Sequence, residues 1–359
     1  MISNCHYPRK IIVILHLGPK ADPEKHPEYF YQGLRLCGVD GTMFSVSNTP
    51  QIKRTLTKSQ TRHLKAAFAK IGAVTIFELG VHNPLAAAIG TRGQSEMVLA
   101  NQIIDQLPPQ SLLIADRYYG SAEVIHRFRQ WQGDEGSHFL FRVKANLKAS
   151  IVETYPDGSA LVEIGKGESK MRVREIKARV RRPGKAWTDV RLWTSLLNWQ
   201  RDGAQTLLKL YSGRWEHEIA YKELKVDMRS ARLLQSHTEA TAAQEIAALI
   251  IGYSILAQKR MEVASHAELP VLRISFRKTW ETVQGLWQFL EVSEGIINRR
   301  QTKEIINKAM DQIAELIIPE RRERSCPRAI RQPVSSRPRL KRNTYQHGPV
   351  QCEVLQPPI

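Results

Sequence analysis

Four side chains able to do chemistry occur at fixed spacing within the segment YSGRWEHEIAYKELK: Tyr211, Arg214, Glu218 and Lys225. Their offsets of 3, 7 and 14 residues from Tyr211 place them near 0°, −60°, −20° and −40° at about 100° per residue of α-helix. The spacing predicts one narrow polar stripe on a helix. A carboxylate can hold a metal ion, while two cations and an aromatic ring suit a phosphate backbone and its bases. The alternative is a solvated helix face with incidental ion pairs.

Two aspartates stand at or near the predicted ends of strands. Asp40 lies in LRLCGVDGTMFSVSNT (34–49), and Asp116 closes the short apolar run SLLIAD (111–116), which is typical of a strand buried on both faces. Open α/β sheets place ligand sites at the carboxyl ends of their strands. A structural role stays open for both residues, because Asp-Gly is a common turn and Arg117 could pair with Asp116.

Two Asp and one Glu suffice for a pair of metal ions. Chemistry on a phosphodiester uses two divalent ions about 3.5–4 Å apart. Mg²⁺ prefers hard oxygen ligands and takes one or two carboxylates per ion. Asp40, Asp116 and Glu218 are therefore the candidate metal ligands, whereas Glu216 lies at about 140° and points elsewhere on an ideal helix.

The charge balance favours a polyanionic partner. Lys and Arg outnumber Asp and Glu by 53 to 35 in 359 residues, which gives a net charge of +18 and a pI near 9.9. Such a balance suits nucleic acid or an anionic membrane surface. A membrane is disfavoured because the most apolar stretches, 11–18 and 247–257, are too short to span a bilayer. The first stretch lacks the small-residue cleavage site of a signal peptide.

The four cysteines show no paired spacing, so we expect neither a zinc site nor a disulfide framework, which fits a reducing cytoplasm.

Strand and helix patterns alternate in the first part of the chain. Two strands are predicted within 63–91, a helix over 94–107, and another over 121–132 with Ser121 as its N-cap. This α/β pattern gives way to short alternating segments over 138–200, which predict an antiparallel β insertion. From residue 204 onward the chain reads as helical, with helices over 204–227, 238–265, 272–294 and 296–317.

The sequence therefore divides into five regions. We expect a short N-terminal remnant (1–30), the first part of an α/β core (31–137), the β-rich insertion (138–200), the completing helix with C-terminal helices (201–318), and a disordered basic tail (319–359).

Three segments in this order resemble the three motif regions of the DDE transposases of the insertion-sequence-four family: LRLCGVDGT, LLIADRYYGSAEVI and YSGRWEHEIAYKELK. The last motif of that family, Tyr-x2-Arg-x3-Glu-x6-Lys, is matched in full. Residues 232–261 also resemble the helical segment that follows it, so the resemblance covers roughly 34–265.

The resemblance implies a ribonuclease-H-like core, a mixed sheet flanked by helices, interrupted by the insertion and followed by a helical part. It implies metal-dependent cleavage and transfer of an insertion sequence in DNA transposition and recombination. The roles follow: Mg²⁺, with Mn²⁺ as a substitute, is held by Asp40, Asp116 and Glu218, and the transposon end is gripped by Tyr211, Arg214 and Lys225. The expected partners are double-stranded DNA, as transposon ends and target, and a second copy in a synaptic homodimer. The expected location is the nucleoid of a bacterial cytoplasm, with no membrane.

The sequence departs from the family at two places. Members usually carry an N-terminal helical region, whereas 39 residues precede Asp40 here. The alternative is therefore a truncated, inactive DNA-binding derivative acting as an inhibitor or remnant; a weaker one is a nuclease that never joins strands. Val190 stands where some members have a tryptophan that assists base flipping, and the flanking Trp187 and Trp193 are expected to be ordinary sheet residues.

Overall fold

A computed structural model describes residues 11–15, 21–58, 66–90, 94–132, 136–181, 186–229, 233–319, 324–325, 346–347 and 351–356. In these ranges twelve strands form one mixed sheet, and helices cover both of its faces. The expected α/β class, with a mixed sheet flanked by helices and a helical C-terminal part, is confirmed.

The strands, in chain order, are β1 (Ile11–Leu15), β2 (Phe30–Tyr31), β3 (Leu34–Ser45), β4 (Lys70–Glu78), β5 (Asn83–Gly90), β6 (Ser111–Ala115), β7 (His138–Arg142), β8 (Ser150–Thr154), β9 (Ser159–Ile164), β10 (Met171–Arg181), β11 (Thr188–Thr194), β12 (Arg324–Ser325), β13 (Gln346–His347) and β14 (Gln351–Val354). The main sheet runs β1-β5-β4-β3-β6-β7-β11-β10-β9-β8, with β2 on β3 and β14 on β10. The short strands β12 and β13 pair with each other.

The α-helices are α1 (Pro50–Thr55), α2 (Glu96–Ala100), α3 (Ala122–Gln132), α4 (Ala204–Ser212), α5 (Trp215–Lys222), α6 (Glu239–His266), α7 (Phe276–Val292) and α8 (Arg299–Glu315). A π-helical turn, Glu223–Asp227, continues α5. Short 3₁₀ turns occur at Pro27–Tyr29, Ile104–Gln106, Gly167–Ser169 and Val271–Arg273.

The strand β3 lies at the centre of the core sheet. It runs antiparallel to β4 and parallel to β6, and β6 is in turn parallel to β7. Every residue of β6 is buried, as its unbroken apolar run predicts. Helices α2 and α3 pack on one face of this sheet, whereas α5 and α6 pack on the other.

Helix α6 is the main support of the second face. Thr238 caps it, accepting a hydrogen bond from the Thr241 amide in a capping box. Its length and composition would also allow it to cross a membrane. Here it contacts β1, β5, α7 and α8 and contributes many side chains to the core, as the central helix of a globular fold does.

Several boundaries differ from expectation. The predicted helix over 204–227 is interrupted at Gly213, because successive i→i+3 hydrogen bonds tighten the chain between Leu210 and His217. The predicted helix over 94–107 is helical only at Glu96–Ala100 and in a 3₁₀ turn.

Two terminal segments also differ. Ile11–Leu15, inside the region expected to be a remnant, is a strand paired with β5. Most of the predicted disordered tail (319–359) lies outside the described residues. Within it, Gln351–Val354 is a strand that pairs with β10, where Cys352 and Val354 pack on a hydrophobic cluster. Strand β7 lies within the predicted insertion (138–200), but its parallel ladder with β6 makes it part of the core sheet.

Candidate active site

The register of β3 and β6 brings two predicted acidic residues together. The parallel ladder ends at the pair Val39 and Ala115, so Asp40 and Asp116 are the next residues on the two strands. Neighbouring strands lie about 4.8 Å apart. Asp40 is not at the end of its own strand, since β3 continues to Ser45 along β4; it stands where the partner strand β6 stops.

Arg214 connects the third acidic residue to this pair. Its Nη2 atom donates to Glu218 Oε1 (2.7 Å), and its Nη1 atom lies 3.7 Å from Asp40 Oδ2. Burial lowers the pKa of Arg214, but the hydrogen bond to Glu218, together with the charges of Tyr211, Glu218 and Asp40, raises it overall. The guanidinium therefore joins the carboxylate on α5 to the one on β3.

The protein destabilises the charged form of Asp40. Burial, and then repulsion from Asp116 and Glu96, raises the pKa of this carboxyl to about 7. The Gly41 amide donates to Asp40 Oδ1 (2.8 Å) and opposes the shift only in part. A cation placed among these carboxylates would relieve the repulsion.

Glu96, at the start of α2, is an acidic neighbour that the sequence did not reveal. Its Oε1 atom accepts a hydrogen bond from the Tyr119 hydroxyl (2.8 Å), three residues beyond Asp116. A Cβ atom at position 41 would lie 2.4 Å from the Glu96 carboxyl carbon, so this approach needs Gly41. Ser95 caps the helix, and an acidic residue after a cap is ordinary in sequence, so no local signal marked Glu96.

The four predicted stripe residues do not all meet. Tyr211 is on α4 before the interruption, and burial raises its pKa to about 12 beside Arg214. Lys225 lies on the π-helical turn, where its Nζ atom donates to Thr42 Oγ1 (3.0 Å) and Met43 O (2.8 Å). Tyr211, Arg214 and Glu218 thus line the acidic centre, which consists of Asp40, Asp116 and Glu96. Lys225 lies farther along β3.

A buried cluster holds the helix that carries Glu218. The His82 ring nitrogens lie 2.9 Å from Glu216 Oε2 and 2.9 Å from Glu223 Oε2. Glu223 also accepts from the Tyr253 hydroxyl (2.7 Å) and from Arg260 Nη1 (3.1 Å) on α6. Glu216 and Glu223, which precede and follow Glu218 in the chain, are therefore anchored. Their partners are the turn between β4 and β5 and helix α6.

The matched protein family decides the identity. The family described as "Transposase DDE domain" matches residues 32–255, a range that includes Asp40, Asp116 and Glu218. The chain belongs to this family. The predicted resemblance to DDE transposases is thereby confirmed.

Individual transposases are also similar to this chain. The chain is 27% identical over 320 residues to the transposase InsG for insertion sequence element IS4 of Escherichia coli (strain K12), covering 86% of this chain and 69% of that protein. It is 24% identical over 131 residues to the putative transposase InsZ of the same strain, covering 36% and 43%. A cryo-EM structure of the piggyBac transposase synaptic complex with hairpin DNA aligns with a TM-score of 0.43 at 10% identity, covering 80% of this chain and 58% of that one.

The DDE family implies a divalent metal in general, and the donor set of this transposase suits one. Asp40, Asp116 and Glu218 offer hard carboxylate oxygens. Because Gly41 has no side chain, the Glu96 carboxylate can lie beside them. Across the described residues, no three Asp, Glu, His or Cys side chains are already grouped tightly enough to hold an ion. The roles of the predicted site residues therefore stay predictions.

The tryptophans of the insertion occupy different environments. Trp193 is 1% exposed and belongs to the core, as expected of an ordinary sheet residue. Trp187 is 38% exposed, and the Arg179 guanidinium carbon lies 4.9 Å from its ring centroid. Val190, between them, is buried.

Proposed function

We propose that this transposase performs metal-dependent cleavage and transfer of the DNA of an insertion sequence. The observation that carries the proposal is the strand register, which sets Asp40 beside Asp116, with Glu218 joined to Asp40 through Arg214. A structural ion-pair network would not need two aspartates side by side where a strand stops.

Asp40, Asp116 and Glu218 would hold Mg²⁺, with Mn²⁺ as a substitute. The bound ions would activate the attacking oxygen and stabilise the leaving oxygen of the phosphodiester. Repulsion at Asp40 supports this assignment, because a bound cation would favour the ionised carboxylate.

Arg214 and Tyr211 would orient the reacting DNA end. The Arg214 guanidinium has the planar fork that matches a phosphate, and it already faces the acidic centre. In the proposed reaction it exchanges a carboxylate for a phosphate oxygen, which leaves Glu218 able to bind metal. Tyr211 is too buried to ionise near neutral pH, so its hydroxyl would stay a hydrogen-bond donor.

The proposed partners are double-stranded DNA, as transposon ends and as target, and a second copy of the chain in the synaptic complex. DNA binding is supported by family membership and by the net charge of +18. The proposed location is the nucleoid of a bacterial cytoplasm. In the alternative function, an inhibitor or remnant, the chain binds DNA without cutting it.

An end-cleavage assay tests the proposal. Purified protein is incubated with a duplex carrying the element's end, with and without Mg²⁺. We expect cleavage only with Mg²⁺, and Glu218→Gln should lower its rate at least about 1,000-fold because a metal ligand contributes several kcal/mol to the transition state.

The matched control is Glu304→Gln, an exposed glutamate on α8, which should cleave normally. Normal cleavage by Glu218→Gln would overturn the assignment of Glu218. Tight DNA binding without cleavage by the wild-type chain would favour the inhibitor.

A further inference from the structure

Helix α5, which carries Glu218, is short and has a break in regular helix at each end. It is eight residues long and lies between the interruption at Gly213 and the π-helical turn. A helix of this length is marginal by itself in water, so tertiary contacts must set its position on the sheet. Arg214 provides one such contact, but in the proposed reaction its guanidinium moves to a phosphate. Other contacts must then keep Glu218 opposite Asp40.

Two side chains of α5 form hydrogen bonds with one pair of residues in the sheet. Asp40 on β3 pairs with Thr75 on β4. The Tyr221 hydroxyl donates to the Asp40 carbonyl oxygen (2.7 Å), and His217 Nε2 lies 3.1 Å from the Thr75 carbonyl oxygen. A carbonyl oxygen only accepts, so Nε2 carries the proton of the imidazole. We call His217 and Tyr221, with these two hydrogen bonds, the α5 anchor.

The anchor relates Glu218 to Asp40 through the backbone. His217 and Tyr221 are four residues apart, so they lie on the same face of α5. This face is turned to the sheet, since His217 is 1% exposed and Tyr221 is 7% exposed. Glu218 follows His217 directly, and its side chain is 42% exposed. The two hydrogen bonds therefore fix the helix against the rung that bears Asp40 and leave the Glu218 carboxylate accessible.

Close packing restricts both rings of the anchor. Gly38 lies two residues before Asp40 on the same face of β3, and a Cβ atom there would be 3.0 Å from His217 Cδ2. Phe77 pairs with Gly38 across the ladder. The Phe77 ring centroid lies 4.8 Å from that of His217 and 5.5 Å from that of Tyr221, both edge-on. The two hydrogen bonds therefore have defined directions.

The His217 ring is a poor choice for stability alone. Its Nδ1 atom is buried and has no hydrogen-bond partner in the part of the chain that the structure describes. An unsatisfied buried polar atom destabilises a fold, whereas an apolar side chain of similar size would fill the space without that cost. The imidazole differs from such a side chain by its Nε2 donor to Thr75. This contact points to a positional role.

We propose that His217 and Tyr221 are positioning residues that set the separation of the Glu218 and Asp40 carboxylates for binding a divalent metal. The inference rests on the proposed function and adds two residues that lie behind the carboxylates. Metal ligands must be held within about 0.5 Å of their productive positions. Replacing residues that orient metal ligands commonly weakens metal binding about 10–100-fold. The anchor would keep Glu218 in place while Arg214 transfers to a phosphate.

Mn²⁺ binding to the free protein tests the anchor without cleavage, because the EPR signal of free Mn²⁺ decreases as the ion binds. Tyr221→Phe removes the hydroxyl and keeps the ring, so we expect a Kd for Mn²⁺ about tenfold higher than that of the wild type. His217→Leu removes the other donor and should have a similar effect. His217→Gln, whose amide can reach the same carbonyl oxygen, should recover most of the affinity.

The matched control is Tyr29→Phe. Tyr29 is also 7% exposed, and its hydroxyl accepts a hydrogen bond from the Val271 amide (2.8 Å). Its removal should lower the urea midpoint about as much as Tyr221→Phe does and should leave Mn²⁺ affinity unchanged. Equal losses of Mn²⁺ affinity in these two variants would show a general effect of destabilisation and would overturn the proposal.

Wild-type affinity for Mn²⁺ in both Tyr221→Phe and His217→Leu would also overturn the anchor as a positioning device. That result leaves the proposed function standing if Glu218→Gln still weakens Mn²⁺ binding. A wild-type protein that binds no Mn²⁺ would overturn both.

Discussion

The acidic centre and the buried His82 cluster lie on opposite sides of α5. They differ in how far their charged side chains are compensated by opposite charges. In the cluster, His82 and Arg260 oppose Glu216 and Glu223, so each charge faces an opposite one. In the acidic centre, by contrast, repulsion from Asp116 and Glu96 raises the pKa of Asp40, and Arg214 is the cation that contacts it.

The difference separates a structural network from a candidate reactive site. In the cluster, the carboxylates raise the pKa of His82 despite complete burial, and the neighbouring cations lower the pKa of Glu223. Those shifts stabilise the folded state. The raised pKa of Asp40 has the opposite sign, so the ionised acidic centre destabilises the fold until a cation arrives.

Substituting one residue in each region should give the largest difference in the free energy of unfolding. His82→Asn leaves Glu216 and Glu223 without their shared cation, so we expect a loss of about 3–5 kcal/mol in the free energy of unfolding. Asp40→Asn removes a repelled charge and should leave that free energy unchanged or higher at pH 8. Urea unfolding measures the His82→Asn loss at pH 6, below the ordinary pKa of histidine, and the Asp40→Asn effect at pH 8.

Equal destabilisation by the two substitutions would contradict the distinction. Arg277→Gln, at an exposed ion pair on α7, serves as the control and should cost less than about 1 kcal/mol.

The change with pH in the stability loss caused by His82→Asn should be smaller than the loss itself. The raised pKa of His82 means that its contribution is complete below its ordinary value of 6.5 and is lost as pH rises through the folded value. The lowered pKa of Glu223 means that its contribution is present above its ordinary value of 4.5 and is lost on acidification. The gap in stability between wild type and His82→Asn should therefore be widest near pH 5–6 and should narrow in alkali. A gap that widens steadily toward pH 9 would show that His82 is neutral in the fold.

Gly41→Ala should lower stability less than His82→Asn does and should alter the acidic centre alone. The added Cβ would displace the Glu96 carboxylate, whose carbon would lie 2.4 Å away. We expect a loss of about 1–3 kcal/mol, typical of overpacking, and about tenfold slower end cleavage. Gly285→Ala is the control, because a Cβ there meets nothing within 4 Å and should stabilise α7 by about 0.5–1 kcal/mol. Undiminished cleavage by Gly41→Ala would mean that the site does not need Glu96 in its present place.

Elements with strong local signals were predictable. The apolar run of β6, the cap at Ser121 and the long periodic pattern of α6 each agree with the structure, because burial and capping act over a few residues. The interruption at Gly213 and the π-helical turn were not predictable. They bring Lys225 onto Thr42 and the Tyr221 hydroxyl onto Asp40 O, contacts made with a distant strand.

Three glutamates show what the sequence alone determined. Glu216, Glu218 and Glu223 occupy one segment, and residue types with spacing singled out Glu218 and its companions Tyr211 and Arg214. The tertiary structure decided that Glu216 and Glu223 meet His82, and that Glu96 and Tyr119 join the aspartates. Spacing fixes which side chains can share a helix face, whereas burial and neighbouring charge depend on segments far apart in the chain.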